Sequence, residues 1–88
     1  MNYIKEIQRF EQYLLTEEKS AATIEKYLRD IRGFWSHLAG RRINKEETIA
    51  YKEYLTTEYS PASVNSMLAA VNRFFREMGW FGCIVKAL

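Results

Sequence analysis

Eighty-eight residues, 48% hydrophobic and 27% charged, suffice for one small domain near the lower size at which a chain builds its own core. No apolar run approaches the roughly 20 residues of a membrane span, and MNYIKEIQRFEQ is too charged to read as a secretory signal. Cys83 is the one cysteine, which excludes an intrachain disulfide and fits a reducing cytoplasm.

The periodicity is helical throughout, and caps and glycines divide it into four pieces. The first is expected over residues 2–17, with Tyr3, Ile7, Phe10 and Leu14 on one face. The second is expected over 20–39, opening on Ser20 and stopping at Gly40, a good residue for the left-handed turn after a helix. The third is expected over 45–57, where Asn44 and Glu47 have capping-box spacing. The fourth, 61–78, has the strongest start: Ser60 as cap, Pro61 in the first helical position, and Gly79 at the end. The fold class is therefore all-α, a compact four-helix bundle over 1–79 followed by an apolar C-terminal segment, 80–88.

The second and fourth helices repeat one text, SAATIEKYLRDIRGFW and SPASVNSMLAAVNRFF. Ile24, Tyr27, Leu28, Ile31, Phe34, Trp35 and Leu38 keep the same offsets as Val64, Met67, Leu68, Val71, Phe74, Phe75 and Met78. Two core-facing stripes explain that much. The first turns ask for more. Ser20, Ala21, Ala22 and Thr23, like Ser60, Pro61, Ala62 and Ser63, are small or hydroxylated and contain no acid, although the helix dipole favours acids there. The third helix, with Glu46 and Glu47, is the internal contrast. Short side chains leave the unpaired N–H groups of a helix start open to anions such as phosphate.

The formal charge of +2 is too small to mark a polyanion binder alone, but its distribution is uneven. Residues 1–19 are net negative and 41–59 neutral, so the excess lies in the two repeated segments. Opposite the stripes stand Ala22, Lys26, Arg29 and Gly33 on one helix and Ala62, Ser66, Ala69 and Arg73 on the other. Small residues with one or two cations let a helix lie close to a duplex while Lys or Arg reaches phosphates or base edges. Arg32 and Arg76 flank the stripes, where salt bridges are expected. His37, in the last turn of the second helix, is expected to cap it or meet its dipole.

Together these residues resemble the N-terminal core-binding domain of tyrosine recombinases, the phage-integrase family, whose fold is a SAM-like four-helix unit. Ser20, Thr23, Ile24, Tyr27, Asp30, Ile31 and Phe34 fit its S-x-x-T-h-x-x-Y-x-x-D-h-x-x-F pattern, where h is apolar. Ser60, Pro61, Ala62, Ser63, Val64, Asn65, Leu68, Ala70, Val71, Phe74 and Phe75 fit its second signature. The chain departs from the family at Ser66, Met67 and Asn72, where Arg or Lys is common, and in GWFGCIVKAL, which lacks the usual Asn-Pro.

The resemblance implies a domain that grips a recombination site while a separate C-terminal domain of the same polypeptide cleaves and rejoins the strands. The implied partners are double-stranded DNA, that catalytic domain and other protomers of a synaptic assembly, with no membrane. Ser20, Thr23, Ser60 and Ser63 are expected to hold phosphates. Lys26, Arg29 and Arg73 are expected to neutralise them or reach base edges. Asn65 and Ser66 are candidate polar contacts, and Ala62 and Ala69 permit close approach. Tyr27 fits the family pattern but lies on the stripe, which favours a structural role. No Arg–His constellation stands ready to activate a tyrosine, and no cofactor or metal motif is present, so the chain reads as a non-enzymatic part of an enzyme.

The competing class is a small protein–protein interaction module without DNA binding. Tyr51, Tyr54, Tyr59, Trp80, Phe81, Ile84, Val85 and Leu88 give more apolar surface than four short helices easily bury. A helix-turn-helix regulator is disfavoured, because the connections lack its short turn and an obvious recognition helix.

Overall fold

Ser20, Asn44 and Ser60 each open a helix as their side chains dictate, by accepting the backbone N–H three residues on. The computed structural model describes residues 3–88. Four α-helices follow: α1 Ile4–Thr16, α2 Ala21–Leu38, α3 Lys45–Glu58 and α4 Pro61–Met78. A single 3-10 turn, Phe81–Cys83, comes after them, and no strand occurs among the described residues. The expected bounds hold to within a residue or two. Tyr3 precedes α1 as its cap, and position 2 of the expected helix lies outside the described residues. At α2, Ser20 and Ala39 are caps rather than helical residues.

The helix ends show where local rules were met and where they were bypassed. Gly79, at φ 77°, closes α4 with its N–H on Arg76 O and the Trp80 N–H on Phe75 O. The same motif closes α1, but there the left-handed position is held by Glu18, at φ 56°. The capping box of α3 is only half formed. Asn44 Oδ1 accepts the Glu47 N–H at 2.8 Å, whereas the Glu47 carboxylate pairs with Arg41 Nε at 3.1 Å.

The two repeated stripes form the centre of the core. Ile24, Leu28, Ile31, Phe34 and Leu38 of α2 are buried, as are Val64, Leu68, Val71, Phe74 and Phe75 of α4. Phe34 meets Phe75 edge-on at 5.8 Å, and Trp35 meets Phe74 edge-on at 5.4 Å. Such pairs add about 0.5–1.5 kcal/mol beyond the area they bury. Helix α1 closes one side with Phe10 and Leu14, and α3 closes another with Tyr51 and Leu55. Thr48 is fully buried, and its hydroxyl donates to Asn44 O at 3.1 Å, which settles its polar group.

The C-terminal segment lies against the bundle. Trp80 packs edge-on to Phe74 at 5.7 Å and to Tyr3 at 6.0 Å. Beyond the 3-10 turn, Val85 is buried and becomes part of the main core cluster. Asn72 reads its backbone twice: Nδ2 donates to Val85 O at 2.8 Å, and Oδ1 accepts the Val85 N–H at 3.1 Å. Asn65 Oδ1 accepts the Leu88 N–H at 2.7 Å, Lys52 Nζ donates to Lys86 O at 2.7 Å, and Lys45 Nζ donates to Ile84 O. Residues 84–88 are thus an extended strap, fastened by main-chain contacts to α3 and α4.

Candidate nucleic-acid interface

The repeat persists in three dimensions. Ser20 and Ser60 have backbone angles of −65°, 156° and −67°, 156°. Ser20 Oγ donates to Thr23 Oγ1 at 2.9 Å and accepts the Thr23 N–H at 3.2 Å. Ser60 makes the same pair of bonds with Ser63, at 3.2 and 3.4 Å. The hydroxyls of both first turns therefore bond to one another and to the helix start.

Helices α2 and α4 share the most extensive helix pairing in the bundle, and their outward faces meet along it. Ala22, Thr23, Lys26 and Tyr27 of α2 line one shallow depression with Ser66 and Ala69 of α4, about 460 Å³ in volume. A neighbouring depression of about 660 Å³ shares Tyr27 and Ala69 with it and is lined also by Asn65, Arg73, Arg76 and Lys86. The two make one continuous surface. Arg29 lies apart from it, in a depression with Gly33, Tyr51 and Tyr59. Ser20, Ser60 and Ala62 are exposed and Ser63 is half-buried, and none of the four lines these three hollows.

Several of these side chains already have partners inside the protein. Lys26 Nζ lies 2.8 Å from Oδ2 of Asp30, which is buried, and donates to Ser66 O at 2.8 Å, joining α2 to α4. Arg29 Nε stands 3.7 Å from the other oxygen of Asp30. One carboxylate thus balances one of two cations. Arg73 Nη2 donates to the Tyr13 hydroxyl at 2.8 Å, its guanidinium lies 5.6 Å from that ring's centre, and Glu17 is 4.0 Å away. Asn65 gives its carbonyl oxygen to the strap.

Arg32 and Arg76, expected in salt bridges, take part in none of the ion pairs among the described residues. His37 does not cap α2. Its ring packs against Tyr51 at 5.1 Å and Tyr54 at 5.5 Å, while Arg41 Nη2 donates to the His37 carbonyl at 2.9 Å. Burial, followed by the charge of Asp30, pushes Tyr51 up to about 12. Burial raises the Cys83 thiol, with Lys45 opposing it, so this cysteine is not activated.

The apolar surface of the competing reading is partly absorbed. Tyr51 and Val85 are buried, Trp80 and Ile84 half-buried, and Tyr54, Tyr59, Phe81 and Leu88 exposed. Asn72, Lys45 and Lys86 meet at the strap, where Asn72 and Lys45 bond its main chain and Lys86 belongs to it. Their roles depend on where an unperiodic C-terminal segment lies, which no helical pattern could indicate.

An all-α bundle whose two like helices share one basic face is the class that this geometry defines. The family model described as the N-terminal SAM-like domain of phage integrase matches residues 7–80. The chain belongs to that family, and the domain is the non-catalytic, N-terminal part of phage integrases. Comparison with curated proteins found no match, and neither did comparison with solved structures. No helix among the described residues is long and apolar enough to cross a membrane.

Proposed function

We propose that this chain is the DNA-binding, core-binding domain of a tyrosine-type site-specific recombinase. It grips the recombination site in a reducing cytoplasm while a separate C-terminal domain, towards which residues 80–88 lead, carries out the strand chemistry. The observation that carries this reading is the joining of Thr23, Lys26, Ser66, Ala69 and Arg73 into one basic α2–α4 surface, in a chain of the integrase family. The exposed small residues Ala22, Ala62 and Ala69 allow the two helices to approach a duplex closely, and the cations around them supply attraction to phosphate. Other recombinase protomers and the catalytic domain are the remaining partners, for which exposed Tyr54, Tyr59 and Phe81 offer apolar contacts.

The test is a titration of the purified chain with a short duplex at several salt concentrations. With roughly four neutralised phosphates, log affinity should fall against log salt with a slope of about −3.6. Absence of affinity at low salt would refute the proposal. Saturable binding of a protein partner at Tyr54 and Tyr59 would then favour the interaction module.

A further inference from the structure

The strap does more than cover apolar surface. It carries Lys86 to the depression along α4, where Arg73 and Arg76 also stand and Lys45 reaches the edge. Among the described residues, no carboxylate side chain lines this hollow, and Arg76 and Lys86 enter none of the ion pairs. Lys26 and Arg73, by contrast, have carboxylate neighbours: Asp30 is 2.8 Å from Lys26, and Glu17 is 4.0 Å from Arg73. Cations gathered without a counter-charge repel one another, and a bound anion relieves that repulsion. Of the bonds that fix Lys86 there, those of Asn72 alone are buried, its amide holding both backbone groups of the adjacent Val85, while the bonds of Lys45, Lys52 and Asn65 to the strap are exposed.

We propose that the hollow between α4 and the strap is a backbone-phosphate site for duplex DNA, in which Arg76 and Lys86 are the contacting cations. Asn72 is a positioning residue that makes the site by seating the strap. This inference rests on the DNA-binding reading above and adds to it the residues that contribute the uncompensated charge. The strap is thereby a wall of the DNA-binding face. Losing its fastening removes Lys86 from the face and takes Val85 out of the core cluster.

The experiment is a salt-dependent duplex titration of the 88-residue chain and its variants Arg76→Ala, Lys86→Ala, Asn72→Ala and Asn72→Ala with Lys86→Ala. Arg76→Ala and Lys86→Ala should each flatten the log–log slope by about 0.9 and weaken binding on the order of tenfold at low salt. Asn72→Ala should reproduce the loss of Lys86→Ala, and adding Lys86→Ala to it should cost nothing more. Should Asn72→Ala not fold, Val85→Ser takes its place, since it unseats the strap while Asn72 stays intact.

Unchanged slopes in Arg76→Ala and Lys86→Ala, with the parent chain still binding DNA, would overturn this inference and leave the DNA-binding reading standing. Full additivity of Asn72→Ala and Lys86→Ala would overturn the positioning role. A parent chain without duplex affinity would overturn both readings. Inorganic phosphate saturating the site at concentrations where duplex does not bind would refute DNA as the source of the anion.

Discussion

Replacing Lys26 by Met should destabilise the fold before it affects any ligand. The ammonium is 2.8 Å from a buried carboxylate oxygen of Asp30 and 2.8 Å from the carbonyl oxygen of Ser66 on the neighbouring helix. A hydrogen bond to a charged group contributes about 1.5–3 kcal/mol. Stripping a buried ion of its partner costs about 3–5 kcal/mol in the limiting case. That limit is not reached here, because Arg29 remains 3.7 Å from Asp30 and the Lys26 side chain is 31% exposed. The expected loss is about 2 kcal/mol, or roughly 8–16 °C in Tm for a domain of this size. Urea and thermal unfolding followed by circular dichroism would measure it. Asp30→Asn in the same background should recover about 1 kcal/mol, as coupled neighbours do. A Lys26→Met chain within about 0.5 kcal/mol of the parent, below the span expected of such a pair, would refute the reasoning. Arg76 and Lys86 are the better positions at which to probe ligand binding, since neither has an ion-pair partner among the described residues.

Glu18, at φ 56°, holds a backbone conformation suited to glycine, so Glu18→Gly should raise stability by about 0.5–1 kcal/mol. Thermal melting would show it, and a lowered Tm would contradict it. Tyr51, pushed up to about 12 chiefly by burial, keeps its proton in the folded state after the unfolded chain has lost it near 10. The folded state then binds more protons, so stability is intact below 10 and falls as pH rises towards 12. Tyr51→Phe should lessen that alkaline decline in denaturant titrations, and an identical decline would contradict the assignment.

Much of the fold is legible in the sequence because its determinants are local. Ser60 followed by Pro61, and Gly79 at the far end, delimit α4 without reference to anything else in the chain. The apolar offsets of α2 and α4 identify the buried stripes, since 3.6-residue periodicity needs no tertiary knowledge. Glu18 shows the limit of local rules, because a left-handed position occupied by glutamate carries no signal. The candidate site was legible in part. Lys26 and Arg73 read as cations on outward faces, and they do lie there, but the Ser66 carbonyl that Lys26 bonds and the Tyr13 hydroxyl that Arg73 bonds are 40 and 60 residues away along the chain. Asn72 reads as one polar residue beside a stripe, and its buried bonds with Val85 become visible only when the strap is placed.

The most direct test of the central claim is chemical-shift mapping of the chain with a short duplex. The account predicts perturbations at Ala22, Thr23 and Lys26 on α2, at Ser66, Ala69 and Arg73 on α4, and at Arg76 and Lys86 beside the strap. Shifts confined to Tyr54, Tyr59 and Phe81, or none at low salt, would contradict it.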